Sequence, residues 1–496
     1  MEQKPMPRST PEREGVPTKA IERYMRAIQA QKLAMHSVMM VRNGKIIYEA
    51  YYKPFDADFR HRLYSCSKSF TAVAIGILAE QGRLHLDDRC LDYFPDKAGA
   101  DAHPYLAQLT IRDLLRMASP YTQGANYSPS DPVWEDTFFT DEVSHVPGSV
   151  YSYCTSGTTM LCAIIRRVTG ENYLDVLRPV FDKIGVSRDI FSVETPEGIE
   201  WGGSGVCATP REFAKFANLC MRYGAYEGEQ LLPRDYMIEA TSRQIDNSLY
   251  AASIDKSQGY GYQFWVLQDG GFGFFGMGGQ FALCFPKQDF MIVTTGYEEL
   301  MSVGRAEIFR ALWRELMPAL RDAPLPEDER AQADLAALTQ GLALVHAEGA
   351  ADSPIAAKVS GQTYAMRENA MGMRRVRFDF ADGAGTMTYE NATGKHALRF
   401  GMLHNIKQEF PERYWGRRIG VRAEKGYESY VSAAWTMPDS LRIDCHIADI
   451  HLGQLRLVAA FKDGTLTLHG LKHAEWFLDE FAGFASGERA GDAEAL

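Results

Sequence analysis

At 496 residues the chain has room for two or three domains, each able to bury its own core. A formal net charge of −11 disfavours nucleic acid and anionic membrane surfaces as main partners. The 46% hydrophobic content is that of an ordinary globular protein, and nothing approaches the run of about 18 apolar residues that crosses a bilayer.

Residues Met1 to Gly15 are charged and proline-rich and lack the apolar core of a signal peptide. The eight cysteines form no Cys-x-x-Cys pair, and most sit inside apolar segments. Buried free thiols are therefore expected rather than disulfides or a zinc site, and the cytoplasm is the expected compartment.

In chain order, Ser37–Val41, Asn43-Gly44 and Lys45–Tyr52 read as a β-hairpin closed by a type I′ turn. Next comes Ser65-Cys66-Ser67-Lys68, a hydroxyl and an amine one helical turn apart. A serine hydroxyl needs a base before it can attack a carbonyl, and a lysine three residues on can reach it. Phe70, Val73, Ala74, Ile77 and Leu78 follow at helical spacing with apolar residues between them. The helix is predicted to be buried on nearly every face and to end at Gly82. A serine at its N-terminus would meet unpaired backbone N–H groups suited to a developing oxyanion.

Ser-x-x-Lys arises by chance about once in a chain of this size. Ser253-Ile254-Asp255-Lys256 is a second copy in a polar stretch, read as a solvated loop. From Leu84 to Gly205 the pattern is mostly helical, with helices expected at Arg112–Met117 and at Ser156–Thr169, the latter stopped by Gly170. Gly202-Gly203-Ser204-Gly205 reads as a flexible turn. It is not a Gly-x-Ser-x-Gly elbow, because Val206 holds the last glycine position. Strands are predicted at Gly259–Leu267, Phe272–Phe285 and Phe290–Thr295, with a turn at Pro286–Asp289 and a helix over 303–316.

The expected fold class is α+β. One antiparallel sheet, built from both ends of the first domain and flanked by helices, carries an inserted helical subdomain. The domain is taken as 1–323, followed by a helical linker over 324–352. In 353–496, short alternating segments with turns at Asp382-Gly383 and Asp463-Gly464 predict an antiparallel barrel or sandwich.

Pro147-Gly148 followed by Tyr153-Cys154-Thr155 supplies a second candidate group ahead of a helix. The glycine-rich stretch Phe275-Gly276-Met277-Gly278-Gly279-Gln280 supplies a third. With Tyr64-Ser65-Cys66-Ser67-Lys68-Ser69-Phe70-Thr71, this order resembles the serine β-lactamase and penicillin-binding-protein superfamily over roughly residues 10 to 320. The class C β-lactamase-related branch is the nearest, with its esterases, D-aminopeptidases, transesterases and 6-aminohexanoate-dimer hydrolases. The resemblance implies Ser65 as nucleophile and Lys68 with Tyr153 as the general acid/base pair. It further implies an oxyanion hole from the backbone N–H groups of Ser65 and Met277, and a substrate lined by Thr155, Gly276 and Gly278. Tyr151 is a rival for the phenol. No metal or organic cofactor is implied.

Two departures stand out. Thr155 replaces the asparagine of the family's Tyr-x-Asn, and Gly273 to Met277 offers no basic residue where the family has Lys-Thr-Gly or His-x-Gly. Both weigh against efficient β-lactam hydrolysis. With Phe272, Phe274, Phe275 and Met277 nearby, they point to an uncharged small ester or amide. D-amino-acid peptidase and weak β-lactamase activities rank next. The distal part resembles lipocalin-like barrels, with cleft shaping, homo-oligomerisation or apolar-ligand binding open to it. A binding protein using that barrel, with a vestigial Ser-Lys site, is the rival reading, and a scaffold the third. His446 and His451 are not read as metal ligands, because no third ligand is spaced to join them.

Overall fold

The computed structural model describes residues 4–97, 103–122, 127–250, 253–297 and 304–491. They divide into two compact units: one takes in the chain up to 343 together with 417–420, the other 344–416 and 421 onward.

The first unit is built on a six-stranded sheet of β1 (Met35–Arg42), β2 (Lys45–Tyr51), β3 (Trp265–Val266), β4 (Phe272–Gly276), β5 (Gln280–Phe285) and β6 (Phe290–Gly296), in the order β2-β1-β6-β5-β4-β3. Asn43 and Gly44 both take positive φ (52° and 72°), which a type I′ hairpin requires. β1 pairs antiparallel with β6, Met39 opposite Val293, so the two ends of the unit meet in the middle of the sheet. Every residue of β1, β5 and β6 is buried, which places these strands between layers. The helix α1 (Thr18–Ala30) packs against the 304–316 segment, and the helix Pro210–Met221 packs on β5 and β6. The 304–316 segment is α-helical over Gly304–Ala311 and a π turn over Leu312–Leu316; residue 303 lies outside the described residues.

Two strand expectations are corrected. The run 259–267 is extended only at Trp265–Val266, because Gly259 and Gln263 take positive φ (116° and 62°) and break the pairing. The run 272–285 is a hairpin and not one strand. Met277–Gly279 forms a tight turn in which Gly278 and Gly279 take φ of 82° and 91°. Between β2 and β3 lie the helices of the inserted part, among them α2 (Ser67–Glu80) and α3 (Thr155–Thr169), the latter closed by Gly170 in the left-handed region. In the stretch read as a linker, Glu329–Gln340 is a helix that packs on α1.

The second unit is a closed barrel. Its strands are β7 (Thr363–Met366), β8 (Arg375–Ala381), β9 (Ala384–Asn391), β10 (Gly394–Met402), β11 (Ile406–Glu409), β12 (Glu428–Met437), β13 (Ser440–Ala448), β14 (Leu452–Lys462), β15 (Thr465–Ala474) and β16 (Gly483–Arg489). Pairing runs β10-β9-β8-β7-β16-β15-β14-β13-β12, and a short parallel contact of β10 with β12 (Gly401 to Ser432) closes a ring of nine. β11 flanks β12 outside the ring. Closure removes the open edges that a sandwich would leave. Alternate residues point inward, so Phe378, Met387, Tyr389, Leu398, Phe400 and Leu457 are wholly buried in one core. Among the described residues, no helix is long and apolar enough to cross a membrane.

Candidate active site

Ser65 lies in a 3-10 turn, Tyr64–Cys66, immediately ahead of α2. Tyr64 holds φ +47°, a strained value for a bulky residue, and it turns the chain sharply into the helix. The Arg62 guanidinium, wholly buried, lies 4.5 Å over the Tyr64 ring and 5.1 Å over the Trp201 ring. It also donates to the Ser204 carbonyl at 2.8 Å and to the Ser204 hydroxyl at 3.1 Å. On α2, Lys68 is 1% exposed, on a helix whose residues from Ser67 to Gly76 are all buried. Its Nζ is 3.0 Å from Ser65 Oγ and donates to the Gly203 carbonyl at 2.7 Å. The predicted pair is thus in hydrogen-bond contact.

The Gly202–Gly205 stretch is a packed wall and not a flexible turn. A Cβ on Gly202 would stand 1.9 Å from Thr71 Oγ1, and one on Gly203 would stand 2.8 Å from the Thr155 methyl carbon. Only glycine lets this backbone approach α2 closely enough for its carbonyl to meet Lys68.

Tyr153 precedes α3, and its neighbours fix it from both sides. Ser152 N–H donates to the Met117 carbonyl at 2.8 Å, and Cys154 N–H lies 3.2 Å from Met117 Sδ. Burial holds the Tyr153 phenol well above the usual tyrosine pKa, against the neighbouring Ser65 hydroxyl, which lowers it. Lys68 Nζ lies 5.0 Å over the Tyr153 ring. Tyr151 is not brought to Ser65 by any bond; its hydroxyl oxygen is buried without a hydrogen-bond partner among the described residues. Thr155 opens α3 with its methyl against Gly203.

The third group arrives on the β4–β5 hairpin. Gly276 lies against the Tyr64–Cys66 turn: a Cβ there would be 2.2 Å from the Leu63 carbonyl oxygen and 3.1 Å from Cys66 Sγ. The Cys66 thiol donates to the Gln280 carbonyl at 3.1 Å, which ties the two turns together. Gln280 Nε2 in turn donates to the carbonyls of Met277 (3.3 Å) and Gly296. Met277 therefore follows directly on the residue packed against the Tyr64–Cys66 turn, and Gly278 faces Tyr297. Lys68 meets Ser65 and Tyr153, and Gly276 lies against the turn that holds Ser65, so three distant stretches of the chain meet here.

Residues 19–297, more than half of the chain, match the family model described as Beta-lactamase. The chain belongs to the beta-lactamase family. Among curated proteins, it is 24% identical over 276 residues to the 6-aminohexanoate-dimer hydrolase of Paenarthrobacter ureafaciens, covering 51% of this chain and 70% of that one. It is 28% identical over 159 residues to Protein flp of Staphylococcus aureus, of which it spans 30%, with 28% of this chain covered. Among solved structures, a protein from Bacteroides dorei provisionally assigned as a beta-lactamase shares the fold, with TM-score 0.51 and 12% identity, over 60% of this chain and 99% of that one. The protein is a hydrolase of the beta-lactamase fold.

Against the beta-lactamase framework, sequence reasoning missed the Gly203 carbonyl and the Arg62 clamp. It also misassigned the aromatic surround. Phe272 and Phe274 are 1% and 0% exposed and pack in the core, Phe274 against Phe70, Phe213, Phe216 and Phe264. The rings beside Tyr153 are instead Tyr250, Tyr260 and Trp265, the last stacked on it at 5.8 Å. The second Ser-x-x-Lys copy lies on a 3-10 turn, Ile254–Lys256, with no buried residue. The eight cysteines are all free and buried. In the barrel, burial lowers the His446 imidazole to about 4, and His451 Nε2 lies 3.1 Å from the Gly416 carbonyl oxygen. No group of three potential metal ligands occurs among the described residues.

Proposed function

We propose that the chain is a serine hydrolase acting through an acyl-enzyme on a small, uncharged ester or amide. The observation that carries this reading is the 3.0 Å contact of Lys68 Nζ with Ser65 Oγ, with the Tyr153 ring 5.0 Å from the same amine. Tyr153, held above its usual pKa, stays a protonated phenol at neutral pH, so Lys68 is the first proton acceptor and Tyr153 the relay. Ser65 Oγ attacks the carbonyl, its proton passes to Lys68, and the oxyanion is met by the N–H groups of Ser65 and Met277. Tyr153 returns a proton to the leaving alcohol or amine, and water then releases the acid by the reverse relay. Thr155, Gly276 and Gly278 line the substrate.

The name of the 6-aminohexanoate-dimer hydrolase relative supports including small amides. D-amino-acid peptidase and weak β-lactamase activities rank below, since 273–277 supplies no cation for a substrate carboxylate. The packed barrel interior gives a barrel-bound ligand little room. Eight free, buried thiols support a cytoplasmic site of action.

The test is intact-mass spectrometry of the full chain mixed with a short-chain p-nitrophenyl ester, with Ser65→Ala in parallel. A transient acyl adduct on the wild type that the variant lacks supports the reading. A folded wild type that forms no adduct and releases no nitrophenol overturns it for simple esters.

A further inference from the structure

The wall beside Tyr153 is a continuous run of rings. Tyr153 stacks on Trp265 (5.8 Å, 29°), and Trp265 stacks on Phe275 (5.2 Å, 14°). The run therefore reaches from the ring beneath the Lys68 amine to the strand that ends at Gly276, with Met277 next in the turn. On its other side Tyr151 packs edge-on to Tyr250 at 5.2 Å and beside Tyr260 at 5.3 Å, and Tyr250 lies 6.0 Å from Tyr153. Tyr250 is 51% exposed, so the wall opens at that ring. One feature of it is unspent by the packing: Tyr250 is half exposed at the open end of the run.

We propose that this wall is the leaving-group subsite, and that it selects an uncharged aromatic alcohol or amine. The inference rests on the acyl-enzyme reading above. In that reading the leaving oxygen or nitrogen takes its proton from Tyr153, so the substituent it carries begins at Tyr153 and continues along the rings. Ester cleavage forms the Ser65 Oγ–carbonyl carbon bond, breaks the carbonyl carbon–oxygen bond and releases the alcohol with that proton. Water then restores the serine and gives the acid.

Charge decides the class. Ring faces carry negative potential, so a carboxylate on the leaving group is repelled. An ammonium would share the Tyr153 ring with the Lys68 amine 5.0 Å above it. A neutral ring gains edge-to-face and offset contacts with the exposed Tyr250.

The experiment compares kcat/KM of the full chain on three acetates of similar leaving-group basicity: benzyl acetate, n-butyl acetate and 4-(acetoxymethyl)benzoate. Wild type, Tyr250→Ala and Tyr151→Phe are measured side by side. The wild type should prefer benzyl acetate over each of the others by about tenfold, the size of one good aromatic contact. Tyr250→Ala should bring the benzyl-to-butyl ratio close to one, and Tyr151→Phe, which removes a buried hydroxyl, should leave it unchanged. Equal rates on the three esters, or a ratio that Tyr250→Ala does not change, overturns the subsite alone. A folded protein that turns over none of them and forms no adduct on Ser65 overturns the acyl-enzyme reading as well.

Discussion

Gly276 stands so close to Leu63 that a Cβ upon it would lie 2.2 Å from the Leu63 carbonyl oxygen. The clash would be with backbone and not with a flexible side-chain end, so the β4–β5 hairpin would have to retreat from the Tyr64–Cys66 turn. Gly276→Ala should therefore move the Met277 N–H away from the reacting carbonyl. We expect acylation by a p-nitrophenyl ester to slow by about 10²-fold, the scale of one lost oxyanion donor. The overpacked core should lose about 1–3 kcal/mol of stability, read by denaturant unfolding.

The triad itself predicts a graded series. Ser65→Ala and Lys68→Met should abolish the acyl adduct, the first by removing the nucleophile and the second by removing its proton acceptor. Tyr153→Phe keeps the ring stacked on Trp265 and removes only the relay, so kcat should fall by about 10²–10⁴ with KM little changed. Single-turnover kinetics with mass detection distinguishes the three.

Glu200, next to the wall that receives Lys68, is 9% exposed, and burial raises its carboxyl to about 7 against the opposing Leu174 N–H bond. The folded chain then holds a proton that the unfolded chain, with the ordinary value of 4.5, gives up. Stability is lost as pH rises from that value through about 7, by up to about 3 kcal/mol. Glu200→Gln keeps the acceptor without the charge. Its Tm should exceed that of the wild type at pH 8 and match it at pH 5.

His61 pulls the other way. It is wholly buried, with Nε2 3.0 Å from His36 Nδ1, and burial lowers its imidazole from 6.5 to about 3. The unfolded chain takes up the proton first, so the stability this residue supplies is present above pH 6.5 and drains away as pH falls toward 3. The difference in unfolding free energy between wild type and His61→Gln should shift by a few kcal/mol against the wild type between pH 7 and pH 4.

The Ser65–Lys68 contact was legible because it is local: three residues apart at the start of one helix whose apolar run is plain in the sequence. The hairpin at Asn43-Gly44 was legible for the same reason. The Gly203 carbonyl was not, since it is a backbone atom 135 residues from Lys68 and carries no side-chain signature. Alternating phenylalanines over 272–275 read as a site lining until the sheet assigned faces and sent Phe272 and Phe274 inward. Gly278-Gly279 could have announced the turn that splits 272–285, but the aromatic run on either side concealed it. In the barrel, short strands such as Thr363–Met366 escaped because four residues carry too little alternation to read.

The pairing of β1 with β6 has a consequence for how the protein is made. On the ribosome, the hairpin of residues 35–51 emerges long before Phe290–Gly296, the strand that fills the sheet beside it. At roughly 5–20 residues per second, synthesis of the intervening stretch of about 240 residues takes on the order of 12 to 50 seconds. Throughout that time the edge of β1 that pairs with β6 has no native partner, and the nascent chain must depend on local hairpin structure or on chaperones until the late strand arrives.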